Sequence, residues 1–298
     1  MDGPRTSRFV AIDGVLVDPE RAVVSVYDRG FLYGDSIFET IRTYAGEPFE
    51  LEAHLERLAW SAERVGLTLP LGPAALAEET RRLLAEIRAR GASGEHTIRI
   101  MVTRGEGPMG LDPTPAVSAR RVVFLEPMKG PPPEAYLDGV SVITVTTYRP
   151  SDAARGAKVG NYLESILAIR EARAAGAHEA LIVDTRGVVL EGTTSNVLAI
   201  KGGLLLTPPA TLTILPGITR KLVLAAAPDA GLVAREVVLT TADLLAADEL
   251  LLTSTIREVL PVVRVDGTPI GSGKPGPKTR TLHAAFRARA GLEPPHSP

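Results

Sequence analysis

Residues 158–196 read KVGNYLESILAIREARAAGAHEALIVDTRGVVLEGTTSN. Lys158 sits among small residues. An apolar-periodic stretch over 162–175 follows and predicts a helix stopped by Gly176. Residues 180–184 predict a buried strand, a tight turn follows, and residues 188–190 predict a second strand. Glu191 then leads a loop of small hydroxyl residues into a third strand over 196–200. A lysine amine can condense with an aldehyde, and a carboxylate further on can face a ring nitrogen. The stretch reads as an arrangement for holding an aldehyde cofactor on a mixed framework of helices and strands.

Toward the N-terminus, residues 8–17 read as two short strands around Asp13-Gly14, a strong hairpin signal. Residues 36–44 alternate with period two. Ile37, Glu39, Ile41 and Thr43 share one face, and Ser36, Phe38, Thr40 and Arg42 the other. Residues 52–65 predict a helix whose buried stripe is Leu51, Leu55, Leu58 and Ala62. A second helix is expected over 73–90, ended by Gly91, and strands over 96–104 and 121–126. Residues 129–133, KGPPP, favour extended backbone and end the sheet pattern. The expected division is a small N-terminal α+β domain over 1–128, a linker over 129–134, and a larger domain over 135–298 that carries Lys158. In that domain strands are also expected over 139–147, 204–207 and 249–252, with helices over 218–227 and 278–290.

A chain of 298 residues is near the size at which one core divides into two. Its 33 basic and 35 acidic residues leave no basic field for nucleic acid. Cysteine is absent, which excludes disulfides and thiolate metal sites, and no metal is expected. The first residues are polar rather than an apolar leader, and no apolar run is long enough to span a bilayer. A cytoplasmic protein with no membrane partner is the expectation.

Lys158 has Gly156, Ala157 and Gly160 around it, which would let a flat ring approach the backbone. The predicted helix start just beyond it would disfavour a second cation and help free the amine of its proton. A carboxylate such as Glu191 against a ring nitrogen would keep that nitrogen protonated. At ~4 Å and an effective dielectric near 20 the attraction is about 4 kcal/mol. Residues 215–220, LPGITR, are a turn opening a helix, so the N–H groups of Ile218 and Thr219 and the Thr219 hydroxyl suit a phosphate. Thr253-Ser254-Thr255 is a second hydroxyl-rich turn, and Arg57 in HLERL would add a charge-assisted contact. Arg220 and Lys221 read as surface charges.

These motifs together closely resemble the class IV, or fold-type IV, pyridoxal-phosphate enzymes, over about residues 10–265. The family includes branched-chain and D-amino-acid aminotransferases and 4-amino-4-deoxychorismate lyase. The resemblance implies a small α/β sandwich domain and a larger β-barrel-like domain with flanking helices. It implies pyridoxal 5'-phosphate held by Lys158, Glu191, Tyr162, Ile218, Thr219, Thr255 and Arg57, with Lys158 shuttling the substrate proton. Tyr33, Thr40, Arg42 and Arg99 match the substrate side, and the N–H groups of Thr255 and Ile256 match a carboxylate site. Arg99 reads either as a substrate contact or as an ion pair within the sheet, because an arginine on a buried face needs an anion. Family members are homodimers, and a homodimer is expected here.

Within the family the signals divide. Thr40, and the short register Lys158-Val159-Gly160-Asn161, resemble the lyase; that register and the loop over 191–196 resemble the D-amino-acid branch. The Arg-x-His trap of D-alanine aminotransferases is replaced by Met109-Gly110-Leu111, an apolar loop suited to an aliphatic side chain. The expectation is an aminotransferase working between an aliphatic amino acid and a 2-oxo acid such as 2-oxoglutarate. The lyase is the alternative, then the D-amino-acid enzyme. A non-catalytic relative used as a binding protein would not need the lysine, the glutamate and both phosphate turns together.

Overall fold

In the computed structural model, which describes residues 8–116, 118–147, 154, 156–212 and 214–293, Asp13 and Gly14 both take positive φ, 49° and 86°. That is the conformation a two-residue hairpin requires. It joins β1 (Phe9–Ile12) to β2 (Val15–Val17), with Ile12 opposite Val15. The hairpin is followed by α1 (Arg29–Tyr33), β3 (Ser36–Tyr44), β4 (Glu47–Pro48), α2 (Leu51–Arg64), α3 (Pro73–Ala89), β5 (His96–Thr103) and β6 (Arg120–Pro127). The strands form one antiparallel sheet in the order β2-β1-β6-β5-β3-β4. Leu51, Leu55, Leu58 and Ala62 of α2 are buried, as the stripe predicts, against Ile37, Ile41, Ile98 and Ile100. Burying each of these leucines and isoleucines contributes about 1.5–3 kcal/mol.

A second sheet is built from β7 (Val140–Thr146), β8 (Glu179–Val183), β9 (Val188–Gly192), β10 (Asn196–Lys201), β11 (Leu204–Thr207), β12 (Val233–Glu236), β13 (Leu239–Thr240), β14 (Glu249–Ser254), β15 (Glu258–Val265) and β16 (Thr268–Pro269). Its order is β12-β11-β10-β14-β15-β7-β8-β9-β13, with β16 paired to β15. The helices on this side are α4 (Pro133–Leu137), α5 (Leu163–Ala174), α6 (Ile218–Ala225), α7 (Thr241–Leu245) and α8 (Pro277–Arg289). The segment carrying α5 connects the parallel strands β7 and β8, a pairing no tight turn can make. Alternation along the curled sheet sends Val197, Ala199, Leu250 and Leu252 into one core. Ala180, Ile182 and Leu190 pack on Ala168 and Ala172 of α5 in another.

The described residues of Met1–Lys129 and Ala157–Asn161 form one compact unit, and those of Gly130–Gly156 and Tyr162–Pro298 a second. The expectation that Lys158 belongs with the second domain is therefore corrected. Its segment is an extra edge on the first sheet: Val159 bridges Ile37, Phe38 N–H donates to Lys158 O at 3.0 Å, and Gly160 N–H donates to Ser36 O at 2.7 Å. Among the described residues no helix is long and apolar enough to cross a membrane.

Candidate active site

In the first unit, His54, Arg57 and Ser61 follow one another at i, i+3 and i+7 on α2, so they line one stripe of the helix. Glu39 reaches that stripe from β3 and is fully buried. Its Oε1 accepts from Arg57 Nε at 2.7 Å, and its Oε2 accepts from Arg57 Nη2 at 2.8 Å. The same Oε2 lies 2.8 Å from His54 Nδ1. Burial alone pushes the Glu39 carboxyl up, but the charge and hydrogen bonds of Arg57, helped by His54, bring it down to about 2. His54 is pushed below its ordinary value, chiefly by burial, against the pull of Glu39.

Ser61 Oγ accepts from the Lys158 N–H at 3.1 Å. The Lys158 ammonium lies 4.6 Å from the centroid of the Phe38 ring. The Arg99 guanidinium lies 4.5 Å from the same ring, and Thr40 is directly opposite Arg99 in the β3–β5 register. Lys158, Phe38, Thr40 and Arg99 are thus gathered on the side of the sheet away from α2. Arg42 is buried, 4.0 Å from the Tyr44 ring centroid. Tyr33 Oη accepts from Gly110 N–H at 2.8 Å.

Two readings at the residue level change. Arg99 is exposed, so no buried anion is required to hold it. Gly160 is small because a Cβ there would run into Ser36 Oγ, a strand contact rather than an approach for a ring.

In the second unit, Glu191 stands in β9 and its Oε2 accepts from Leu215 N–H at 3.0 Å. Asn196 Nδ2 donates to Leu215 O at 2.9 Å. Gly217 is the N-cap of α6 and supplies no side-chain cap, so Ile218 and Thr219 start the helix with backbone donors aimed outward. Thr219 is buried, and Arg220 is buried too, not a surface charge. Arg220 donates to Thr207 Oγ1 at 3.2 Å and Pro208 O at 2.7 Å, and pairs with Glu236 at 3.3 Å. Thr255 and Ile256 form the turn between β14 and β15, where Arg257 N–H donates to Ser254 Oγ at 3.2 Å. Thr253 Oγ1 is buried without a hydrogen-bond partner. Tyr162 is the N-cap of α5.

Sequence reasoning missed Glu179, which is fully buried at the start of β8. Its carboxylate accepts from Thr193 Oγ1 at 2.8 Å, Thr194 N–H at 2.8 Å, Thr194 Oγ1 at 3.1 Å and Ser195 Oγ at 3.0 Å. A carboxylate heading an apolar run, EALIV, was the available signal.

Residues 36–265 match the family model described as amino-transferase class IV. A Methanocaldococcus jannaschii relative named "Putative branched-chain-amino-acid aminotransferase" is 39% identical over 280 residues, 93% of this chain and 95% of its own. A D-alanine aminotransferase of Bacillus licheniformis is 36% identical over 282 residues, again 93% of this chain and 95% of its own. Among solved structures, the Escherichia coli branched-chain amino acid aminotransferase superposes with TM-score 0.86 at 32% identity, covering 93% of each chain. A T.th. branched-chain amino acid aminotransferase with pyridoxamine 5'-phosphate also superposes with TM-score 0.86, at 33% identity over 95% of this chain and 93% of that one. With a lysine on one sheet and a glutamate beside an uncapped helix N-terminus on the other, this chain belongs to the class IV aminotransferases, the pyridoxal-phosphate-dependent transaminases.

Proposed function

We propose that this enzyme moves the amino group of a branched-chain-like aliphatic amino acid to 2-oxoglutarate, as a homodimer. The observation that carries the reading is the loop around Met109-Gly110-Leu111. Buried Arg29 donates to Gly110 O at 2.9 Å, Leu111 O at 3.2 Å and Asp112 O at 3.2 Å, and to Asp35 at 3.0 Å. The backbone is thereby held while Met109 and Leu111 point outward, 76% and 82% exposed. A fixed loop with two free apolar side chains suits an aliphatic substrate and offers no charge for a carboxylate. The exposed guanidinium of Arg99, with Arg42 on the same strand face, suits the distal carboxylate of 2-oxoglutarate.

The donor set fits pyridoxal phosphate. The N–H groups of Ile218 and Thr219 start a helix without a side-chain cap, and Thr253 carries an unpartnered buried hydroxyl. In this reading Ile218, Thr219, Thr255 and Arg57 would hold the phosphate, Glu191 would meet the pyridine nitrogen, and Tyr162 would meet the phenolic oxygen. The bound cofactor supplies an aldehyde for the substrate amine and a conjugated ring that accepts the electron pair left at the α carbon. With the cofactor bound, Lys158 Nζ would be the base that takes up and returns the substrate's α proton. Tyr33, Thr40, Arg42, Arg99 and Ile256 orient the substrate.

Thr40, beside Arg99 on this face, favours a lyase as the second reading. The purified enzyme with isoleucine and 2-oxoglutarate should form glutamate. Pyruvate and 4-aminobenzoate from aminodeoxychorismate, with no glutamate from isoleucine, would reverse the ranking, and pyruvate from D-alanine would point to the D-amino-acid branch. Lys158→Ala should lower kcat by about 10²–10⁴-fold, the range for removing a general base. The same variant should prevent borohydride from fixing the cofactor's mass to the chain.

A further inference from the structure

Two side chains grip one peptide. Leu215 donates its N–H to Glu191 Oε2 at 3.0 Å, and its carbonyl accepts from Asn196 Nδ2 at 2.9 Å. Glu191 and Asn196 stand at the two ends of the turn between β9 and β10. That turn is closed by Gly192 N–H donating to Ser195 O at 2.7 Å, and Glu179 holds its hydroxyls from below. Beyond Leu215 the chain has little freedom. Pro216 fixes one φ angle, and Gly217 caps α6 from a position where a Cβ would run into Asn196 Oδ1. Asn196 is 4% exposed, so its bond to Leu215 O is shielded from water.

We infer that Asn196 is a positioning residue that sets the phosphate turn, Leu215 to Thr219, against Glu191. The inference rests on the proposed placement of the phosphate at the start of α6. Glu191 and Asn196 act as the two jaws of a clip on the Leu215 peptide. The carboxylate that meets the ring nitrogen and the N–H groups that meet the phosphate then keep one fixed spacing. The amide is required, because a carboxylate at 196 would set oxygen against the Leu215 carbonyl oxygen. An Asp at 196 keeps the shape, removes the donor and adds a negative charge, whereas Gly217→Ala disturbs the same bond without adding charge. Loss of the clip should weaken what the phosphate contributes to binding and leave the ring contacts in place.

The test is the affinity of the apoenzyme for pyridoxal phosphate and for pyridoxal, which lacks the phosphate, each titrated by absorbance. In Asn196→Asp the ratio of the two dissociation constants should shrink about tenfold, the weight of one shielded hydrogen bond. Affinity for pyridoxal should hold within about twofold. The ³¹P resonance of the bound cofactor should move toward its free position. Gly217→Ala, whose methyl displaces Asn196 without touching backbone φ, should shrink the ratio in the same way and serves if Asn196→Asp does not fold. Thr219→Ala provides the control for the phosphate site. If Thr219→Ala shrinks the ratio and neither of the other variants does, the positioning role is wrong and the placement of the phosphate stands. If Thr219→Ala also leaves the ratio alone, that placement fails and takes the inference with it. An equal loss of affinity for both ligands, tracking a lower Tm, would reduce Asn196 to a purely structural residue.

Discussion

Glu39 is a carboxylate fully shielded from solvent, kept ionised by one guanidinium and one imidazole. Removing one partner of such a buried pair leaves the other charge stranded. Glu39→Gln should therefore destabilise the first unit by about 3–5 kcal/mol, read as a lower urea midpoint. The pH dependence has a definite sign. The folded pKa of about 2 lies below the ordinary 4.5. The stabilisation is thus complete above about pH 4.5 and is lost as pH falls through about 2, a change of about 3 kcal/mol. The variant should show a flatter acid limb than the parent between those values; equal limbs would refute the assignment. Strand alternation alone puts Glu39 on the inward face with Ile37 and Ile41, and that much was readable. Its partners were not, because nothing local says that α2 turns His54 and Arg57 toward that strand. Arg220 misled for the same reason: a basic residue in a short helix reads as solvated until Thr207, Pro208 and Glu236 are seen around it.

At the scale of elements, the turn between β9 and β10 is tied to the start of β8 by Glu179. Glu179 accepts four hydrogen bonds from Thr193, Thr194 and Ser195 and pairs with Arg257 at 3.4 Å. Glu179→Gln keeps the volume but presents an amide to donors, and should cost about 3 kcal/mol in stability. Amide exchange at Thr194 should rise well above that at Leu198 in the middle of β10. If the two amides respond alike, the turn is not governed by Glu179. The strands themselves were legible because their periods are local: residues 36–44, 96–103 and 196–200 alternate or run apolar as the structure has them. The hairpin at Asp13-Gly14 was legible because only such a pair takes positive φ twice without strain. The segment of Lys158 was not. Ala157–Asn161 carries no alternation of its own, and its pairing with β3 spans more than a hundred residues of chain. Short β-bridges of that separation are set by tertiary contacts that leave no periodic trace.

At the scale of the whole molecule, α5 exposes a stripe that a single chain does not explain. Leu163, Ile166 and Leu167 are 64%, 57% and 41% exposed, and their spacing puts them on one side of the helix. The opposite side, Ala168 and Ala172, is fully packed on the sheet. Scattered apolar residues on a surface need no explanation, but a contiguous apolar stripe marks a contact. The proposed homodimer supplies one: a stable interface removes about 1,600 Å² from water, and three aliphatic side chains on one helix suit its centre. Sedimentation equilibrium at micromolar concentration should give twice the mass of the chain. Ile166→Lys places a charge in the middle of the stripe, where a buried unpaired ammonium is costly, and should shift the distribution toward single chains. Each unit has its own sheet and core, so the variant's far-ultraviolet circular dichroism should match the parent's. A parent that sediments as one chain at that concentration would remove the homodimer. A variant that stays paired would move the interface away from α5.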